Sequence, residues 1–253
     1  MTAADLAITS NGLPWLWLVR QQQALAVMAR FKTLLQTLKQ ARLVVEVGRQ
    51  KGELSSVADL VDSFLDTPQM EACLERFRAD PDGAALLEER YPPLQPDLER
   101  MQQLPSNSLG FQYAKLILGQ GYDPDFFRPR PVESDAQWLT QRIATTHDIH
   151  HVVAGFCTRP EGEAGVLAIT AMQIGFPAYV SLTNAAAISR FRLQPESFGE
   201  MSQAISHGIS LGFGAKTLAA MRWEDGWDKP LEQWRDELGI SHPANPLAYG
   251  LAQ

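Results

Sequence analysis

The chain has 253 residues, of which 45% are hydrophobic and 20% charged, with a net charge of −7. That is enough chain for one large domain with a substantial core, read as a single unit over 1–253. No basic run of the kind that tracks a phosphate backbone is present, so nucleic acid is excluded as a partner, and polybasic attraction to anionic lipid is equally unsupported.

The opening residues lack the basic n-region of a signal peptide, and no apolar run reaches the ~18 residues of a membrane span. The expected location is cytoplasmic, with peripheral membrane contact left open. A homodimer is equally compatible with the composition. The two cysteines, Cys73 and Cys157, make no disulfide framework. Cys157 near the site described below suits a small buried thiol, with a thiolate ligand as the alternative.

In chain order, the pattern predicts a first helix from Leu13 to about Gly48, with Pro14 in its first turn and Leu25, Met28, Phe31, Leu35, Leu38, Leu43 and Val47 on an amphipathic face. Trp15 and Trp17 fit either a core cap or a membrane interface. Ser56–Leu65, Gln69–Ala79 and Ala84–Tyr91 follow as short helices, separated by Asp66-Thr67-Pro68 and Asp80-Pro81-Asp82-Gly83 and closed by Pro92-Pro93. Ser106-Asn107-Ser108 offers an N-cap to Leu109–Leu118, which ends near Gly119 and Gly121. A long helix over Glu133–Phe156 comes next, then a connector, Thr158 to Gly162. Glu163 opens a helix running on past Pro177, which should kink or interrupt it. Asn184–Phe191 and Pro195–Met221 complete the set. With no alternating runs and no repeats, the fold class is all-α, on the order of eight to ten helices at ordinary lengths.

The chemistry lies in His147-Asp148-Ile149-His150-His151, with Glu163 twelve residues on. At about 100° per residue, His147, Asp148 and His151 occupy one arc of roughly 100° on the long helix. Ala144 and Gly155 are small residues on the same arc and leave room for a ligand. His150 points about 60° to the other side, with solvent as its expected surroundings and support of a metal ligand from behind as the alternative. Histidines at i and i+4 project the same way, and Asp148 neighbours His151 at i, i+3. If the short connector folds the next helix back, Glu163 joins them in a metal site between two adjacent antiparallel helices. The expected metal ligands are therefore His147, Asp148, His151 and Glu163. Two imidazoles and two carboxylates favour Zn²⁺, Fe²⁺ or Mn²⁺, with Mg²⁺ less well matched. A polar helix face in solvent is the plainer alternative.

Leu167, Thr170 and Ile174 share Glu163's face and are candidate lining residues for an apolar substrate tail. The small residues of Ala168–Ala187, and Gly208, Gly212 and Gly214 in the late helix, fit either close helix approach or a ligand groove. His207 and His242 have no clustered partners.

The motif H-D-x-x-H-x₁₁-E at His147, Asp148, His151 and Glu163 resembles the signature of the coenzyme Q biosynthesis protein 4 family. Flanking stretches extend the resemblance: Leu104-Pro105 to Leu109-Gly110, Tyr113-Ala114, Tyr122-Asp123-Pro124, Trp223-Glu224, Pro230-Leu231-Glu232 and Leu238-Gly239-Ile240. It spans about residues 25–240, with departures in the N-terminal segment and between residues 50 and 100. The resemblance implies an all-helical protein of ubiquinone synthesis at membranes. It implies a metal at the four motif residues, a polyprenylated ring or prenyl-phosphate ligand, and other quinone-biosynthesis proteins as partners. The implied reaction is removal of the ring carboxylate at carbon one of a prenylated hydroxybenzoate, with hydroxylation there, and Asp148 and His151 as catalytic residues. The alternative is a prenyl-lipid-binding scaffold that organises other enzymes without catalysing. A phosphohydrolase with a His-Asp centre fits less well, because that class separates its ligands onto different helices.

Overall fold

The computed structural model describes residues 22, 28, 33–46, 54–121, 131–245 and 247–252. Their regular structure is helical, with two isolated bridges, Ser108 to Pro230 and Phe156 to Gly250, and no strand among the described residues. The expected helix start, Trp15 and Trp17, and the Tyr122-Asp123-Pro124 stretch lie outside the described residues.

Residues 33–46 form α1. Its expected apolar face is not a core face: Leu35 and Leu38 are exposed, and only Leu43 and Val44 pack against the core. Then come α2 (Leu54–Asp62), α3 (Pro68–Ala79), α4 (Pro81–Glu88) and the single turn α5 (Leu98–Met101). Asp80 caps α4 by accepting from Asp82 N–H and Gly83 N–H, so Pro81 falls at N1 and the helix starts three residues before the predicted Ala84. α6 (Leu109–Gln120) is capped by Ser108 and closed by Gly121 in the left-handed region.

α7 (Asp135–Ala154) opens on a full capping box, Ser134 with Gln137, and closes at Gly155 (φ 76°). It is buried on more than one side, through Trp138, Leu139, Ile143, Ile149, Val152 and Val153. α8 (Pro160–Ile174) begins three residues before Glu163 and ends at Gly175, and α9 (Pro177–Leu193) starts afresh at Pro177. Of the two outcomes expected at Pro177, a kink or an interruption, the structure shows the interruption, with two separate helices. Gly175 adopts φ 69° and ends the first, and Pro177 suits N1 of the second. The stretch predicted from Pro195 to Met221 also divides, into α10 (Phe198–Gly214) flanked by short 3₁₀ turns at Pro195–Ser197 and Leu218–Ala220. A third 3₁₀ turn, Trp223–Gly226, precedes α11 (Leu231–Leu238).

Two features fix the region around the α7–α8 turn. The C-terminal segment binds it by backbone hydrogen bonds: Ala244 N–H donates to Ala154 O (2.8 Å), Leu251 N–H to Gly155 O (2.6 Å) and Cys157 N–H to Tyr249 O (3.0 Å). The buried Arg235 of α11 donates to the carbonyls of Val152 (3.2 Å) and Val153 (2.9 Å). Those carbonyls have no partner within a helix that ends at Ala154, so a guanidinium there satisfies them and complements the negative helix end.

Among the described residues no helix is long and apolar enough to cross a membrane.

A candidate metal centre on the α7 and α8 helices

His147 and His151 stand one turn apart on α7, and Glu163 lies in the first turn of α8. His147 Nε2 is 3.1 Å from Glu163 Oε2, His151 Nε2 is 3.2 Å from Glu163 Oε1, and the two Nε2 atoms are 3.2 Å apart. Ligands about 2.0–2.1 Å from a tetrahedral cation are separated by roughly 3.3 Å, so these spacings are those of donors around one ion.

The second nitrogen of each ring is also accounted for. His151 Nδ1 faces the carbonyl of Phe156 at 3.1 Å. A carbonyl only accepts, so that nitrogen carries the proton and the Nε2 lone pair is free. His147 Nδ1 faces the hydroxyl of Tyr179 at 3.5 Å. The donor set, two imidazoles oriented by outer partners and one carboxylate, could therefore hold a metal ion.

Without a cation, the charges of these groups are coupled. Burial works to lower the pKa of His151, but the Glu163 carboxylate, its hydrogen bond and Asp148 outweigh it, and the net shift is upward. Burial works to raise the pKa of Glu163, yet His151 and His147 hold it well below the usual carboxylate range. Burial, with the Glu163 and Asp148 charges, keeps the Tyr179 phenol protonated.

Of the four predicted ligands, the structure gathers His147, His151 and Glu163 into one tight group, their ligand atoms within 4.8 Å of one another. Asp148 falls outside that group, and its charge acts on His151 and Tyr179 from beside it.

The expectation for His150 is corrected. It is fully buried rather than in solvent, beside Trp223 at 6.3 Å between ring centroids, and neither ring nitrogen has a hydrogen-bond partner among the described residues. The reason is that α7 is covered on its far side by the 3₁₀ segments before α11, so a residue pointing away from the trio meets protein. Burial, then the nearby His147, His151 and Arg142, push its pKa well down and leave it neutral.

The predicted ligand-lining residues fare unequally. Ala144 is half-buried, one turn before the trio. Gly155 offers no open room: its φ of 76° and the Asn245 side chain against it show a glycine required by backbone and packing. Thr170 and Ile174 are buried and Leu167 half-buried, and the Thr170 hydroxyl has no hydrogen-bond partner among the described residues. Gly208 and Gly212 fulfil the close-approach alternative. A Cβ on Gly208 would overlap the Gly165 carbonyl, and one on Gly212 would stand 2.8 Å from Ile169 O. Gly214 faces open space. Both cysteines are free and buried, and burial pushes Cys73 up to about 12. His207 is occupied structurally, donating from Nε2 to His242 O (2.7 Å) and facing the Tyr249 hydroxyl through Nδ1 (3.2 Å).

Sequence reasoning missed Tyr179, the Phe156 carbonyl and Arg235. The motif supplies no signal for them, since one acts through its backbone and two arrive from later helices.

The chain matches the sequence pattern described as coenzyme Q (ubiquinone) biosynthesis protein Coq4 over residues 52–244. It is 32% identical over 184 residues to the mitochondrial ubiquinone biosynthesis protein COQ4 homolog of Rattus norvegicus, covering 70% of this chain and 68% of the relative. The Homo sapiens homolog is 30% identical over 175 residues, with 67% and 64% covered. The solved structure of a candidate ubiquinone biosynthesis protein from Nostoc punctiforme superposes with a TM-score of 0.74 at 28% identity, covering 82% of this chain and 97% of that one. The rat and human relatives are named mitochondrial, which does not support the cytoplasmic location expected for this chain. By the extent of the sequence match, this chain belongs to the Coq4 family of ubiquinone biosynthesis proteins.

Proposed function

We propose that this chain is a metal-dependent enzyme of ubiquinone synthesis. It replaces the ring carboxylate at carbon one of a polyprenylated hydroxybenzoate by hydroxyl, releasing CO₂, a two-electron oxidation for which dioxygen from solution is the oxidant and oxygen source. The reading rests above all on the convergence of His147 Nε2, His151 Nε2 and Glu163 within 3.2 Å of one another. These three would hold the cation between two adjacent antiparallel helices, with Asp148 as a fourth ligand. Zn²⁺, Fe²⁺ or Mn²⁺ suits the donors better than Mg²⁺. When bound, the cation supplies a Lewis acid that polarises the oxygens of the ring head.

The protein's own groups do the rest. His151 is held by the Phe156 carbonyl, and Glu163 stays ionised between the imidazoles. Asp148 adds negative charge beside His151. Ala144 lies beside the head, and Leu167, Thr170 and Ile174 line the way for the prenyl tail. The continuous core, running from Leu60 to Tyr249, supports treating the chain as one domain.

The test is release of CO₂ from a prenylated hydroxybenzoate by protein loaded with each metal in turn. Wild type turns over, and His151→Ala and Glu163→Gln, folded by circular dichroism, do not. Full activity in either variant overturns the reading.

The scaffold alternative is favoured by a different observation. Ile188, Phe191 and Leu193 on α9 and Phe213 on α10 are large apolar side chains left in solvent. Such exposure suits contact with a lipid surface or another biosynthetic protein. Lipid co-purifying with a protein inactive under every metal would select that alternative.

A further inference from the structure

Tyr179 sits in the first turn of α9, its ring edge-on to Phe176 at 5.0 Å and to His147 at 5.8 Å, and it is 7% exposed. Its hydroxyl, 3.5 Å from His147 Nδ1, is at the long end of hydrogen-bonding range. We propose that Tyr179 is a positioning residue that links the cation site to its ligand. It accepts the Nδ1 proton of His147, and its own O–H proton is left to donate to an oxygen of an anionic ligand head at the cation.

The argument is one of donor and acceptor counts. A histidine that gives its Nε2 lone pair to a cation carries its proton on Nδ1, and that N–H needs an acceptor. For His151 the acceptor is the Phe156 carbonyl, which has no proton to give. For His147 it is a phenol oxygen, and a phenol that accepts one hydrogen bond still has a proton to give. The two imidazoles are therefore supported differently: one is anchored to backbone, the other to a side-chain hydroxyl that keeps a proton to give. A phenol, with an ordinary pKa of ~10, keeps its proton at neutral pH. The fitting ligand class is an oxyanion head, a carboxylate or a phosphate.

This inference rests on the metal reading above, and its test separates the two. Zn²⁺ is titrated by calorimetry into wild type, Tyr179→Phe and Glu163→Gln. Removing the hydroxyl leaves the ring packed against Phe176, and the expected loss of Zn²⁺ affinity is roughly 10- to 100-fold. A long-range ¹H–¹⁵N spectrum of Zn²⁺-loaded wild type should show His147 as the Nδ1–H tautomer in slow solvent exchange, and Tyr179→Phe should speed that exchange. A purely structural role would lower the melting temperature and leave the exchange unchanged. If Glu163→Gln binds Zn²⁺ as wild type does, the metal reading itself falls. If Glu163→Gln is impaired but Tyr179→Phe keeps wild-type affinity and slow exchange, the metal reading stands and the Tyr179 proposal falls.

The donor half is read with two probes, 4-hydroxybenzoate and inorganic phosphate, added to Zn²⁺-loaded protein. Tyr179→Phe should lose roughly tenfold or more in affinity for whichever head the site takes. Equal binding by both proteins, or no binding of either probe by wild type, overturns the donor half.

Discussion

Gly208 of α10 lies directly against the backbone carbonyl of Gly165 of α8, with no space for a Cβ between them. Gly165 is two residues past Glu163, so this contact also sets the height of the carboxylate's helix. Glycine inside a helix costs roughly 1 kcal/mol relative to alanine. The sequence accepts that cost because the obstacle is backbone, which cannot swing aside as a side chain would. Gly208→Ala should therefore lower stability by about 1–3 kcal/mol despite its better helix propensity. Gly199→Ala, on the same helix with nothing within 4 Å of its Cβ, should be neutral or stabilising by up to about 1 kcal/mol. Urea denaturation of the pair distinguishes packing from propensity.

Metal loading should be visible as stability. A cation at about 100 times its dissociation constant adds about 2.7 kcal/mol to the folded state. Zn²⁺ should raise the melting temperature of wild type and EDTA should reverse it. Glu163→Gln should lose most of that increment. Asp148→Asn should keep a larger share, because Asp148 lies outside the tight group of three. Differential scanning fluorimetry with and without chelator checks the order of the two variants, and the reverse order would make Asp148 the dominant carboxylate.

Arg235 reaches from α11 to the last carbonyls of α7, immediately beyond His151. Arg235→Met keeps an apolar stem but leaves two buried carbonyls without that donor. The expected cost is about 1–3 kcal/mol, with faster hydrogen exchange of the amides around Gly155. Unchanged exchange there would show that the C-terminal segment holds this turn without the guanidinium.

The trio was legible in the sequence because helical geometry alone carries it: His147 and His151 at i and i+4 share a face in any α-helix. Glu163 was legible because few residues separate the two helices, so its arrival needed only a turn. The surroundings were not. His150 looked solvent-facing because angle within one helix says nothing about what covers the other side, here Trp223 from a segment about 70 residues later. Pro177 alone left a kink or an interruption open, and the left-handed C-cap at Gly175 decides for the interruption. Gly155 looked like room for a ligand, but the residue filling it, Asn245, is far away in the chain. Small residues mark close approach or a hollow equally well until the opposing backbone is known, as Gly208 and Gly212 show.

The opposed pKa shifts of His151 and Glu163 give the metal-free protein a defined pH dependence. His151 is raised above its ordinary 6.5, so its stabilisation is fully present below that pH and is lost as pH rises through the folded value. Glu163 is depressed below its ordinary 4.5, so its contribution is present above 4.5 and is lost only as pH falls through the folded value. The pair therefore stabilises most between 4.5 and 6.5. His150 runs the other way. It is held neutral in the fold, so its burial is harmless above 6.5 and costs stability as pH falls and the unfolded chain takes up a proton. Subtracting Glu163→Gln from wild type should give a stability difference that peaks in the 4.5–6.5 window and declines on the alkaline side. His150→Leu should separately remove about one proton's worth of acid-side slope. Urea titrations of the chelator-treated proteins at fixed ionic strength read both effects. A wild-type minus Glu163→Gln curve that is flat across the window would mean that the imidazole and the carboxylate do not share charge in the absence of a cation.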